Sequence, residues 1–497
     1  MNPSAQALAR QLKERAIKGI GVAVGVAGLS RLLFFLQQLL LARLLPAEAF
    51  GQYAFAMMVA GLPALLVNLR GAEAVIQSED DDGRFHDLVD TAFTLQLILA
   101  FIMALLLIAG RGLLAALLDK PYLAPLLAAM SLLLFTSTGG PSANTGPLML
   151  PAALLERRLE FVPARLPELA NVSVNLAVSL ALALLGQGVW SLVWGFVAGS
   201  FFQALLLWRL AHFQPRLRVS RPVLRRYLGF SWPLYLSYIL SWGYLNADYF
   251  FVGRWKGEAR LGIYYMAFTI SQLPLQARFI LSRVALPAFA RARQEPALLQ
   301  RTYALTTRYA LAAAGLAAGV GIGLAEPAVR LLLGERWLAA APVLQILLLS
   351  TFFRLGFGFN GELLISLGRT DAFLGATAAA LGTLLALGPA FLRLWDIPGM
   401  AWAVTASSLA SAAVSCIIIA RELKIAYAGL IAPALVCTLL TVPIGLLTAP
   451  HIQGIMGLIS AGAGLVVLYC AAFLALFERR TTRRLWAYLG RSHRNAP

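Results

Sequence analysis

The sequence predicts an all-α polytopic membrane protein of about 14 transmembrane helices, arranged as two six-helix lobes related by a pseudo-twofold axis plus two C-terminal helices. Of 497 residues, 60% are hydrophobic and 13% charged, where soluble domains are about half apolar and a quarter charged. The mean hydropathy is +0.75. Apolar stretches such as 95–109 and 311–324 recur between short polar breaks along the whole chain. Helical spans need roughly 20 mostly apolar residues to cross the hydrocarbon. A set of residues also recurs at an offset of 211–212.

Residues 4–19 are basic and amphipathic, and no small-residue cleavage site follows the first apolar run. A cytoplasmic N-terminus (1–18) therefore leads into an uncleaved first span. Spans start near residues 20, 50, 91, 123, 163 and 189 in an N-lobe (19–211). A basic linker (212–226) follows, then a C-lobe (227–424) with starts near 228, 261, 304, 341, 372 and 399. Two further spans begin near 428 and 455 in the segment 425–478, ahead of a basic tail (479–497). Spans four and ten are longer than one bilayer requires, which reads as tilt or a cytoplasmic extension.

The net charge of +18 does not mark a nucleic-acid binder, because the basic residues are spread over short loops between apolar spans. With the N-terminus inside, 29 Lys and Arg fall on the cytoplasmic side, nine outside and three within spans. The clusters 209–226 and 479–494 are both inside, so both termini are expected in the cytoplasm. Cys416, Cys437 and Cys470 fall within spans without CxxC spacing and read as packing residues. The four histidines lie in loops or tails, so neither a metal site nor a catalytic triad is visible. The acidic run 79–82 reads as a solvated loop.

Arg43, Gly51, Tyr53, Ala56, Leu62 and Pro63 recur as Arg254, Gly262, Tyr264, Ala267, Leu273 and Pro274. Arg157, Phe161, Gly188, Val193 and Arg209 recur as Arg369, Phe373, Gly399, Val404 and Arg421. Six spans per copy, an even number, give both copies the same orientation and an axis along the membrane normal, with a site where the bundles meet. Two such bundles can rock to open a central cavity to either side in turn. Pro63 and Pro274, placed mid-span, are candidate hinges; static packing is the competing reading.

Charges inside spans point to the site. A charge near the bilayer centre costs about 2.5–3.5 kcal/mol on insertion scales and usually faces a cavity or a partner. Arg31 lies deep in span one without a carboxylate nearby in sequence, and Gln38 follows on nearly the same face. Arg354 lies near the middle of span ten, where Glu362 is a potential partner; Arg278 follows Pro274 in span eight, close enough to one face to snorkel. Three arginines with few carboxylates at the same depth imply an anionic ligand such as phosphate. Arg70, near the inner mouth, reads either as part of that site or as an ion pair with Glu73. Asn246 and Asp248, toward the outer end of span seven, are candidates for ion coupling or gating, with an Asp248–Arg254 ion pair as the alternative. Asn171, Asn175 and Ser179 form a stripe best explained by interhelical hydrogen bonding.

The segments LARLLPAEAFGQYAFAM, ALLERRLEF, GQGVWSLVWG, NADYFFVGRWKGEARLGIYYMAF followed by LPLQ, and LAEPAVRLLLGERWLAAAPVL resemble the polysaccharide-transporter branch of the multidrug/oligosaccharidyl-lipid/polysaccharide flippase superfamily. Within it the likeness is to Wzx-type lipopolysaccharide and exopolysaccharide flippases of the colanic-acid exporter kind. The resemblance implies two six-helix lobes in a V around a cationic cavity. It also implies transfer of undecaprenyl-diphosphate-linked sugar repeats from the inner to the outer leaflet of the bacterial plasma membrane. In that family spans one, two, seven and eight usually line the cavity, which suits Arg31, Arg70, Asp248 and Arg278. Arg70 stands where span two is usually glycine-rich. Spans thirteen and fourteen lie beyond the repeat, where related lipid II flippases form a groove for the lipid tail. Implied partners are the lipid-linked oligosaccharide, membrane lipids and polysaccharide polymerase or export machinery. No cofactor, metal or nucleic acid is expected, and coupling to H⁺, Na⁺ or membrane potential stays open.

Two rivals compete with this reading. A multidrug exporter on the same fold favours acidic cavity residues for organic cations, which the arginines oppose. A membrane glycosyltransferase or polymerase needs a catalytic constellation on a sizeable loop, and the sequence offers none.

Overall fold

A computed structural model describes residues 3–67, 71–77, 84–136, 146–158 and 160–477. Every regular element among them is a helix. In chain order these are α1 (Pro3–Leu44), α2 (Ala47–Val67), α3 (Gly71–Gln77), α4 (Arg84–Leu117), α5 (Leu123–Met130), α6 (Pro151–Arg157), α7 (Phe161–Leu184) and α8 (Val189–Ala211). They continue with α9 (Arg221–Ser271), α10 (Leu275–Ala292), α11 (Pro296–Ala328), α12 (Ala340–Gly356), α13 (Asn360–Ser366), α14 (Thr370–Leu423), α15 (Ala428–Thr448) and α16 (Gly454–Phe477).

Fourteen crossings follow from these helices once the breaks are placed. α9 leaves helical geometry at Gly257, whose φ of 83° suits a residue without a Cβ, and α14 does so at Trp395 and Asp396. Each therefore contributes to two crossings. The predicted spans four and ten prove to be interrupted helices: α5 and α6 are pieces of one, α12 and α13 of the other.

The chain divides into two compact units, Met1–Gly262 and Ile263–Pro497. In the first, α7 carries the polar stripe read from the sequence, and its partners lie on neighbouring helices. Gln37 of α1 donates to Asn175 Oδ1 at 2.9 Å, and Asn171 donates to Gln203 Oε1 of α8 at 2.7 Å. Such bonds satisfy polar groups that lipid cannot. An apolar cluster around Val75, Phe93, Leu155 and Leu207 is closed by Trp208, whose indole N–H donates to the Leu148 carbonyl at 2.9 Å.

In the second unit α11 is the packing centre. Its Gly315, Gly319 and Gly323, spaced by four, bring it against Thr438, Thr441 and Gly445 of α15, with Tyr469 of α16 also against Gly315. Small residues at this spacing let helices in lipid approach to backbone contact. Thr438 donates to the Gly315 carbonyl across that seam at 3.1 Å. The two helices beyond the repeat are thus docked on α11. Nearer the other ends of these helices, Tyr303 of α11 donates to Asn360 Oδ1 at 2.6 Å, and Asn360 donates to Ser415 of α14 at 2.8 Å. Elsewhere large apolar side chains such as Leu113 (74% exposed) and Met456 (78%) stand on the surface, as lipid-facing helices require.

Candidate functional site: two interrupted helices and their arginines

Pro274 interrupts span eight by removing a donor. It has no N–H for the Ile270 carbonyl, which accepts from Leu273 instead at 3.1 Å; Leu275 N–H in turn bonds Gln272 O at 3.1 Å, not Ser271 O. The Ser271 carbonyl left over accepts the Thr351 hydroxyl of α12 at 2.9 Å. One turn further along α12, Arg354 Nη1 donates to Gln272 Oε1 at 3.0 Å. Thr351 and Arg354, three apart on one helical face, together hold both residues ahead of the break.

A second interruption lies beside it. α12 stops at Gly356, two residues after Arg354, and α13 resumes at Asn360. Gly358, between them, packs on the Arg278 side chain and the Arg354 carbonyl with no room for a Cβ. Arg278, one turn past Pro274, donates Nη2 to Glu362 Oε1 of α13 at 3.1 Å. Ser282, a further turn along α10, donates to the same oxygen at 2.6 Å. The Arg278 and Glu362 side chains are 26% and 14% exposed. Non-helical backbone at membrane depth persists only where protein buries it or where it lines a cavity. Interrupted helices at corresponding positions of two repeats point to a binding site. Span four is also broken, around Gly146, which is the repeat mate of Gly358 and packs on Phe135 and Thr136 with equally little space.

The site therefore gathers two of the predicted arginines. Arg354 is met by a neutral amide, Arg278 by a carboxylate, so the trio carries one net positive charge. The alternative Arg354–Glu362 salt bridge does not form: the turn at 357–359 places the two residues on different helices, and Glu362 pairs with Arg278 instead. Thr351, Gln272 and Ser282 carried no sequence signal of their own. The neighbouring proline and the glycine between apolar residues were the only hints.

The remaining predicted residues belong to the first unit. Arg31 is half-exposed on α1, and its Nη2 lies 4.0 Å from Glu168 Oε1 of α7. No carboxylate lies near Arg31 in sequence, and this partner sits on another helix, 137 positions on. Gln38 is buried on α1. Pro63 lies inside α2, which stays helical as far as Val67, so the two proline positions differ in effect. Asn246 turns inward on its own helix, donating to the Trp242 carbonyl at 2.9 Å. Asp248 is buried and accepts the Tyr249 N–H at 2.9 Å; no ion pair joins it to Arg254, which is exposed. Arg70 lies outside the described residues.

The first unit has a polar cluster of its own at the loop before α5. Lys120 Nζ is 2.6 Å from Glu258 Oε1. Burial opposes ionisation of Glu258, but hydrogen bonds from Lys120, the backbone and Tyr122, with the Lys120 charge, outweigh it and hold the carboxyl below its ordinary range. Burial, then the Glu258 charge, pushes the Tyr122 hydroxyl well above the usual phenol range.

Fold and site define an internally repeated, multi-pass helical membrane protein with interrupted spans, the architecture of secondary transporters. The chain belongs to the polysaccharide biosynthesis protein family, whose profile matches residues 40–342. It is 30% identical over 319 residues to the succinoglycan biosynthesis transport protein ExoT of Rhizobium meliloti, an alignment covering 63% of this chain and 61% of that one. The chain thus matches less than two thirds of that relative's length. It is 23% identical over 364 residues, 72% of each chain, to the lipopolysaccharide biosynthesis protein WzxC of Escherichia coli. Its fold is similar to that of the lipid II flippase MurJ in an inward closed conformation, with a TM-score of 0.72 at 14% identity, covering 91% of this chain and 99% of that one. These relatives bear out the resemblance that the sequence segments carry.

Proposed function

We propose that this protein is a flippase. It carries undecaprenyl-diphosphate-linked oligosaccharide repeats from the inner to the outer leaflet of the bacterial plasma membrane, for O-antigen or exopolysaccharide synthesis. The observation that carries the reading is the placement of Arg278 and Arg354 beside two adjacent helix breaks, in a family named for polysaccharide biosynthesis. The diphosphate is the part of the substrate least able to cross hydrocarbon. Guanidinium groups replace its hydration with charge-assisted, paired hydrogen bonds, while the polyprenyl tail stays in lipid. Arg31, Gln38 and Arg70 are further candidate substrate-binding residues, and Pro274 and Pro63 are candidate hinges for alternating access. Asp248 and Asn246 serve ion coupling or gating. Both termini are cytoplasmic by the distribution of basic residues. Lipid-linked oligosaccharide, membrane lipids and the polymerase or export machinery are its partners, and the protein performs no covalent chemistry. An organic-cation exporter fits less well, because the charges at the breaks are cationic.

Complementation of a bacterium lacking its own flippase of matched repeat-unit specificity tests this. Wild type should restore surface polysaccharide. Arg278→Ala and Arg354→Ala, at normal expression, should leave lipid-linked repeats trapped in the inner leaflet. Restoration by both variants as well as by wild type would remove the arginines from transport.

A further inference from the structure

The carboxylate of Glu362 stands on Arg278 in the way a phosphate would. Both of its oxygens lie near the same guanidinium nitrogen, Nη2, at 3.1 and 3.4 Å, and Ser282 closes on one of them at 2.6 Å. Carboxylate and phosphate oxygens are interchangeable partners for this charge-assisted geometry. The neighbouring Arg354 differs: at this site it is met by the Gln272 amide oxygen at 3.0 Å, a neutral group. One arginine is thus paired with a neutral group and the other with an anion that the protein supplies. The Arg278 side chain and the Arg354 backbone carbonyl flank Gly358 in the turn between α12 and α13. Glu362 follows two residues into α13, which is only seven residues long, and it is partly exposed with Arg278.

We infer that Glu362 is an internal counter-ion: it holds Arg278 between substrates, yields it to the diphosphate of the lipid-linked substrate, and reclaims it to drive release. This rests on the flippase reading. The charge balance explains why a carrier needs such a group. With Glu362 engaged the trio carries one positive charge; with Glu362 displaced, two guanidiniums face the diphosphate together. A site of two arginines and no competitor would hold an anion strongly and give it up slowly. Transport requires binding firm enough to admit the ligand and weak enough to let it leave. A carboxylate on the same arginine lowers the affinity without changing where the ligand sits. Ser282 sets how strongly Glu362 competes. Both are positioning residues, acting through Arg278.

The test uses the full chain in nanodiscs and two probes, undecaprenyl diphosphate and the neutral undecaprenol, with binding read by native mass spectrometry and export by complementation. Wild type should prefer the diphosphate. Glu362→Gln keeps the shape and the Ser282 contact but removes the charge. It should bind the diphosphate about two- to fivefold more tightly, the range set by a partly exposed ion pair, and should export more slowly. Ser282→Ala should shift both quantities in the same directions by a smaller factor. Tighter binding with slower export is a split that a merely structural salt bridge does not produce. Weaker or unchanged diphosphate binding in Glu362→Gln overturns the proposal, and Ser282→Ala decides in the same way if the first variant does not assemble. Wild type without preference for the diphosphate over the prenol removes the flippase reading itself, and this inference with it.

Discussion

Gly51 and Gly262 each pack against the backbone four residues before the other: Gly51 on the Glu258 carbonyl, Gly262 on the Ala47 carbonyl, with no space for a Cβ at either. The two glycines are repeat mates, and so are positions 47 and 258. The contact is self-complementary, as twofold-related surfaces must be, so the repeat read from sequence reappears as a pair of reciprocal backbone approaches between α2 and the second half of α9.

That symmetry predicts matched penalties. Gly51→Val and Gly262→Val should each destabilise the protein by about 1–3 kcal/mol through overpacking. The double variant should lose less than the sum, because both substitutions spread one helix crossing. Thermal unfolding of the purified protein in detergent reads all three. A large loss at one position and none at the other would sink the symmetric reading.

Glu258 gives a pH prediction. Its folded-state carboxyl titrates below the ordinary value of 4.5, so between the two values the unfolded chain binds more protons than the folded one. Stability contributed by the Lys120–Glu258 contact is therefore fully present above about pH 4.5 and is lost as pH falls through the lowered folded value. Melting temperature followed from pH 6 to about 3.5 should drop further for wild type than for Glu258→Gln. Parallel curves would mean that the contact adds nothing to stability.

The break at Pro274 can be probed by a cycle. Thr351→Val should cost about 1–3 kcal/mol, because the Ser271 carbonyl is left without its donor inside the protein. Pro274→Ala supplies the missing N–H and lets the helix take back both carbonyls. In that background Thr351→Val should cost markedly less. Equal costs in the two backgrounds would show that the hydroxyl is not compensating for the proline.

The fold was largely readable because hydropathy and the repeat are one-dimensional signals. Apolar runs mark crossings wherever they fold, and residues such as Gly51 and Gly262 keep their spacing regardless of contacts. The site was half readable. Arg278 and Arg354 announced themselves as charges in apolar spans, since each must find a partner or a cavity. Their actual partners did not, because they depend on two turns that hydropathy cannot register. The phenylalanines and glycines of 356–359 read as continuous span, yet the chain leaves the helix there and Glu362 pairs with Arg278. Arg31 shows the same limit across helices: Glu168 is remote in sequence and adjacent in space.

Helices α15 and α16, which lie outside the repeat, offer the last prediction. A Cβ at Gly323 would come within 2.8 Å of the Gly445 Cα, and backbone cannot move aside as a flexible side chain can. Gly323→Leu should therefore push α15 off α11 and strain the seam that also includes Thr438 and Tyr469. Gly375, in the first half of α14, is the control, because nothing lies within 4 Å of a Cβ there. Leucine at 375 should be neutral or slightly stabilising, since it replaces glycine in a helix that faces lipid. Leucine at 323 should lower the melting temperature and the amount of folded protein, by about 1–3 kcal/mol or more of lost stability. Complementation then separates two roles for this pair of helices. Export lost in proportion to folded protein makes them a structural buttress of α11. Export lost well beyond that loss assigns the seam a part in transport.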